Sequence, residues 1–203
     1  MKHTNLLIIF TKNPELGKCK TRLAETMGDA SALKIYEALL AHTADFSAKV
    51  AADKHVYYSE NIQEFDSWDD TVFDKYLQAN GDLGQKMSQA FSDSFRMGYE
   101  SIVIIGSDCA EINEEDIYEA FKKLANHDVV IGPAIDGGYY LLGMKKPHLD
   151  LFMDKSWSTS SLINETIATI KQLKLSFALL PEKSDIDYEE DLKRPNYLNI
   201  LVE

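Results

Sequence analysis

Cysteine is scarce in this chain: Cys19 and Cys109 are the only two, and they do not form a CxxC pair. Neither a disulfide framework nor a thiolate metal site can be built from them, so a reducing, cytoplasmic setting fits. Long apolar runs are missing as well. The run NLLIIF at residues 5–10 is too short for a signal sequence or a membrane span. Positive charge is in deficit, with 21 Lys and Arg against 33 Asp and Glu and a formal net charge of -12. Nucleic acid is thereby excluded as a partner, because duplex binding needs cations over an extended face. No GxGxxG occurs. The segment GKCKT is no phosphate loop of the GxxxxGKS type, since no glycine stands five residues before Gly17 and Cys19 takes the place of the hydroxyl. The five histidines show no ligand spacing, and no Ser-His-Asp or Cys-His arrangement can be read.

What remains is the composition of a well-packed globular domain. The 203 residues are 45% hydrophobic and 27% charged, with no repeat, linker or low-complexity tract, which predicts one domain spanning 1–203. Residues 5–10 read as a strand buried on both faces, as in a parallel sheet. Leu33, Tyr36, Leu39, Leu40, Thr43 and Phe46 recur at helical spacing and predict a long amphipathic helix over 29–50. KHVYYS from Lys54 reads as a strand, and VFDKYLQ from Val72 as strand or loop. A helix over 84–98 precedes the strand SIVIIG, after which Asn113 caps a helix with acids in its first turn. DVVIGP and YYLLGM predict a bent hairpin, a helix over 161–173 leads to the strand LSFALL, and DIDYEEDL opens a short last helix. Alternation of this kind predicts a three-layer α/β/α sandwich around a mostly parallel, mixed sheet. In such sheets ligands gather at the carboxyl ends of the strands.

Four segments near those ends carry candidate chemistry. The stretch FTKNPELGKCKTRL sets Lys12, Lys18, Lys20 and Arg22 against the single acid Glu15. Four cations in one loop repel one another unless an anion is present, and a turn with backbone N–H groups, an ammonium and a guanidinium suits phosphates. Asp108, two residues beyond SIVIIG, is placed either to hold a hard divalent cation or to close an ordinary Asx-turn. Glu111 reads more readily as structural. GPAIDGGYYLLG combines paired glycines with Asp136, which either orients or deprotonates a sugar hydroxyl or simply turns a hairpin. Trp157 suits stacking on a ring or anchoring a lid, and Asp185 with Asp187 forms a second carboxylate set or a helix cap.

These segments, with GSDCAEI and WST, run in order from residue 10 to 192 and resemble the nucleotide-diphospho-sugar transferase superfamily with the A-type glycosyltransferase fold. They are most similar to its small bacterial selenodomain-associated or arsenosugar-biosynthesis-type branch, and the KTRL loop and final DID are also similar to phospholactate guanylyltransferases. The resemblance implies a Rossmann-like fold with a nucleotide across the first loop. Lys12, Lys20 and Arg22 would face its phosphates together with Thr11, Gly17 and Ser107. It further implies a Mg2+ or Mn2+ ion held by Asp108, joined by Asp187. Asp136 would be the catalytic group, and Gly137, Gly138, Tyr139 and Trp157 would bind substrate. Ala110 stands where such relatives usually carry proline, which loosens the expected turn. The Gly-Gly loop of sugar nucleotidylyltransferases is absent and favours glycosyl over nucleotidyl transfer. The expectation is a metal-dependent glycosyltransferase moving a sugar from a nucleotide-sugar donor to a small-molecule acceptor. Nucleotidyl transfer from an NTP, or nucleotide binding without catalysis, is the alternative.

Overall fold

The computed structural model describes residues 4–194. Seven strands form one sheet in the order β3-β2-β1-β4-β6-β5-β7, where β1 is Asn5–Thr11, β2 Asp53–Tyr58, β3 Asp74–Leu77, β4 Ser101–Gly106, β5 Val129–Pro133, β6 Tyr139–Met144 and β7 Phe177–Leu179. Strand β6 runs antiparallel to both β4 and β5, while the other pairings are parallel. The sheet is therefore mixed through the β5–β6 hairpin, as the short AIDGG connection predicts. VFDKYLQ resolves as the edge strand β3, and LSFALL pairs over only three residues.

Alternation along the two central strands builds both cores. Leu7, Ile9, Val103 and Ile105 face one side, and Leu6, Ile8, Ile102 and Ile104 the other, because successive Cβ atoms point to opposite faces. On the first side lie α2 (Asp29–Ala48) and α4 (Glu114–Leu124), which contribute Tyr36, Leu40, Ile117 and Leu124. On the second lie α3 (Leu83–Arg96) and α5 (Leu162–Gln172), through Met87, Phe91 and Ile170. Three layers result, as expected from the alternating elements.

Two sequence expectations change. The cationic loop does not run straight into the long helix, since a short helix α1 (Thr21–Met27) intervenes and Gly28, at φ 80, separates it from α2. The last helix, as far as the described residues go, begins as a 3-10 turn at Asp191–Lys193. The cap read from sequence at α4 is present: the Asn113 side chain accepts from the Glu115 and Asp116 amides, and the Asp116 carboxylate accepts from the Asn113 amide at 2.9 Å. Glu111 is structural, its carboxylate accepting from the Ser184 amide at 2.9 Å. That bond ties the loop after β4 to the segment carrying Asp185 and Asp187. Ala110 is buried in a small cluster with Leu23 and Ile186.

Candidate active site

Strands β1 and β4 end side by side, with Phe10 opposite Gly106, so the loops that follow them must share the space above the sheet. Their first residues are tied together. Ser107 Oγ donates to Thr11 Oγ1 at 3.1 Å, the Lys12 amide donates to the Tyr36 hydroxyl at 2.9 Å, and that hydroxyl donates to the Lys12 carbonyl at 3.1 Å. Thr11 and Ser107, read as nucleotide contacts, are buried and use their hydroxyls on each other. Tyr36 reads as a core position by spacing, yet its hydroxyl holds the start of the cationic loop. Asn13 fixes the next turn, its side-chain oxygen accepting from the Glu60 amide at 3.0 Å and its side-chain nitrogen donating to the Asn61 carbonyl at 2.7 Å.

The loop then turns through Gly17, at φ 76, and reaches Lys20, which caps α1 at φ 48. A left-handed conformation is costly for a lysine and marks a position that the surroundings over-determine. The side chain explains it. Lys20 Nζ lies 2.9 Å from Asp108 Oδ2 and 3.5 Å from Asp187 Oδ1, with the lysine side chain 5% exposed. Arg22 Nη1, in the first turn of α1, meets Asp187 Oδ2 at 2.9 Å. Burial pulls the Lys20 ammonium down, but Asp108, then Asp187 and Asp185, outweigh it and hold it well above its ordinary value. Desolvation likewise pushes the Asp108 carboxyl up, while Lys20 and then Lys12 hold it below its usual range.

This pairing corrects the expectation that the loop cations repel one another until an external anion arrives. Lys18 is also paired, with Glu15 at 2.7 Å and Glu60 at 3.6 Å. Among the described residues Lys12 alone of the four loop cations forms no ion pair. Spacing along the sequence could not show this, because Asp108 and Asp187 come from 88 and 167 residues away.

Thr11, Lys12, Lys20, Arg22, Ser107, Asp108 and Asp187 line one cleft of about 540 Å³. Gly17 does not line it; it turns the loop beside Asp29. A second cavity of about 230 Å³ holds Asp136, Gly138, Tyr139 and Trp157, and adds Asp185. The two share Phe10, Leu83 and Ser158, so they adjoin. Gly137 is not among the residues lining this cavity; at φ 90 a Cβ there would stand 2.2 Å from the Ser160 carbonyl oxygen, so its freedom serves that close packing. Asp136 has one oxygen engaged as the acceptor of the Gly138 amide at 2.8 Å, so the hairpin turn and an exposed carboxylate coexist. Trp157 lies across Gly84 at the start of α3 and edge-on to Tyr139, with ring centroids 6.5 Å apart. Asp185 is half-buried near Asp108; burial, then the Asp108 charge, pushes its carboxyl up to about 7. The neighbouring Cys109 thiol is buried and held up by that burial and by Asp185. Nothing in the spacing of DID distinguished Asp185 from Asp187, which the fold sends into different compartments.

Two carboxylates converging on one cation are a hard-oxygen donor set, suited to Mg2+ or Mn2+ when phosphates and water complete the shell. No group of three or more His, Cys, Asp or Glu side chains forms a cation cage among the described residues. Asp108 and Asp187 offer oxygens of that kind, and an ion there would have to be shared with a ligand's phosphates.

Residues 21–159 match the family described as "Uncharacterized protein conserved in bacteria (DUF2064)". The chain belongs to this family. The fold of this DUF2064 member is that of the nucleotide-diphospho-sugar transferases: a crystal structure provisionally described as one, from Desulfovibrio desulfuricans G20, is 26% identical over 99% of this chain and 97% of that chain, with a TM-score of 0.87. A 4-diphosphocytidyl-2C-methyl-D-erythritol synthase from Anaerococcus prevotii DSM 20548 is 13% identical with a TM-score of 0.60, over 96% of this chain and 98% of that one. Rv0371c of Mycobacterium tuberculosis H37Rv, in complex with manganese, is 9% identical with a TM-score of 0.56, over 97% of both chains. The last two show the fold alone. Among curated proteins nothing matches the chain. No helix among the described residues is long and apolar enough to cross a membrane.

Proposed function

We propose that this protein is a metal-dependent glycosyltransferase that moves a sugar from a nucleotide-sugar to a small-molecule acceptor. The observation that carries the reading is the buried Lys20 ammonium between Asp108 and Asp187, at the wall of a cationic cleft that opens onto an uncharged-to-acidic cavity. In the resting site the carboxylates neutralise Lys20 and Arg22. A diphosphate entering the cleft competes for both cations and meets Lys12, which already stands without a partner among the described residues. A Mg2+ or Mn2+ ion held by Asp108 and Asp187 would supply charge stabilisation to the departing diphosphate. Tyr36 and Ser107 keep the loop backbone fixed while the cation side chains change partners.

The acceptor enters the adjoining cavity, where Asp136 orients or deprotonates its hydroxyl. That oxygen bonds to the anomeric carbon, the carbon–phosphate-oxygen bond breaks with its electron pair leaving on the nucleoside diphosphate, and the hydroxyl proton passes to the carboxylate. Nucleotidyl transfer is the second reading, favoured by the fold shared with the cytidylyl-transferring synthase. The products separate them: nucleoside diphosphate marks the first and pyrophosphate the second.

Asp108→Asn is the direct test. We expect it to abolish the gain in nucleotide-sugar affinity that Mn2+ confers, measured by titration calorimetry with and without the ion. An unchanged metal-dependent gain, or nucleotide binding without turnover across a donor and acceptor panel, sinks the proposal.

A further inference from the structure

The two compartments differ in the sign of charge that they tolerate. Lys12, Lys18, Lys20, Arg22 and Lys86 line the larger cleft. In the smaller cavity, tyrosines aside, the ionisable side chains are Asp136 and Asp185, and no lysine or arginine lines it among the described residues. Apart from the hydroxyls of Ser158 and Thr159, its walls are mainly apolar and aromatic, with Phe10, Leu83, Met87, Tyr139, Trp157 and Leu162 the large side chains.

Each feature excludes a class of occupant. A phosphorylated or carboxylated molecule would lose its water against two carboxyl groups with no cation to replace it. A free sugar could pair some hydroxyls with Asp136, Ser158, Thr159 and Asp185, but would turn the others toward Met87, Leu162 and the aromatic rings, where they find no partner. A closed cavity of roughly 150 Å³ accommodates benzene, so 230 Å³, open toward the neighbouring cleft, has room for a ring with a short arm.

The aromatic wall is built rather than incidental. Trp157 sits so close to Gly84 that a Cβ there would lie 2.4 Å from its ring, while Tyr139 meets it at an interplanar angle of 80°. The helix start and the 156–160 loop thus hold the indole as a fixed face. Its position at the junction matters too, because Phe10, Leu83 and Ser158 border both compartments, so an arm reaching past Leu83 points toward the phosphate cleft.

We infer that the acceptor is a non-anionic small alcohol with an apolar, ring-sized body, and that Trp157 is the residue that selects it. The inference rests on the transferase reading for the word acceptor, but not for the binding preference itself. That preference can be measured on the full chain without turnover, using three probes that share one body and differ in charge: benzyl alcohol, benzylamine and benzyl phosphate. The readouts are the Gly138 amide and the Trp157 indole NMR signals for this cavity, and the Arg22 side-chain signal for the neighbouring cleft.

Benzyl alcohol and benzylamine should shift the Gly138 and Trp157 signals, and benzyl phosphate should do so at least tenfold more weakly, a difference of about 1.4 kcal/mol. Phosphate probe that moves only the Arg22 signal is bound next door and agrees with the inference. Trp157→Ala and Gly84→Ala, the second displacing the indole without touching its own atoms, should each weaken benzyl alcohol at least fivefold while leaving uridine diphosphate titration unchanged. The inference is overturned if benzyl phosphate moves Gly138 as readily as the alcohol, if benzyl alcohol fails to bind, or if both variants bind it normally. Uridine diphosphate separates the two claims: should neither it nor any other nucleoside diphosphate move Arg22, the transferase reading fails while the charge series still reports on the cavity.

Discussion

The cationic cleft and the apolar cavity lie against each other above the same strand ends, yet they reach the resting state in opposite ways. The cleft is neutralised from within: Lys20 and Arg22 are held by Asp108 and Asp187, and Lys18 by Glu15 and Glu60. A ligand there must exchange one set of ion pairs for another, so its affinity follows salt, metal and protonation. The cavity carries no such set. The proposed occupant would gain by burying apolar surface against Trp157, Tyr139 and Leu83, with negative charge kept out by Asp136 and Asp185. On the proposed reading, one site would hold a polyanion and an uncharged molecule side by side without either entering the other's place.

Four substitutions strain that division, the first by the most. Lys20→Met removes the buried ammonium and leaves Asp108 and Asp187 facing each other, so nucleoside diphosphate affinity should fall by about 3 kcal/mol, on the order of 100-fold, by calorimetry. A change under threefold would mean that Lys20 serves only the fold. Trp157→Ala should lower kcat/KM for the acceptor by roughly 30-fold, the effect of losing a buried aromatic anchor, with donor affinity held within twofold. Loss of donor binding in this variant would merge the compartments.

Asp185→Asn tests the boundary between them through pH. The native carboxyl is pushed up to about 7 against an ordinary value near 3.8, so between these values the folded state binds more protons than the unfolded one. Wild-type stability therefore falls as pH rises from about 4 to 7 and is level above it. The asparagine variant lacks this slope and should overtake the wild type across that window in denaturant titrations; parallel curves would refute the assignment. Lys18→Ala should do least. Although Lys18 lines the cleft, it is exposed and paired locally, and nucleotide affinity should move by less than about 0.5 kcal/mol. An effect equal to that of Lys20→Met would turn the cleft into a diffuse field rather than a site.

Much of the fold was legible because period and punctuation act locally. Buried runs at 5–10 and 101–106, helical spacing in Leu33–Phe46 and the Asn113 cap each carry their own signal, and the structure keeps them. Helix α1 was hidden because seven residues offer less than two turns of pattern and its cap is a lysine, a residue that gives no capping signal. At the site, Lys12, Lys20, Arg22, Asp108, Asp136 and Trp157 stood out by residue type at strand ends. The packing of Gly137 on Ser160 was not legible, because a permissive backbone looks the same in sequence whether it receives a ligand or packs on a neighbouring segment. Asp185 could be read only together with Asp187, because its raised pKa comes from burial and then from Asp108, 77 positions earlier in the chain.

The sequence alone determined the layered α/β class, the place of the cationic loop behind the first strand, and the overall acidity. These follow from spacing and composition, which need no partner to be read. Only the tertiary structure decided what the loop cations face. Lys20 meets Asp108 and Asp187 because β4 lies beside β1 and the Glu111–Ser184 bond brings the 184–187 segment back over the sheet. Charge pairing depends on distances of a few ångströms between residues far apart in the chain, and those distances exist only after the sheet has assembled.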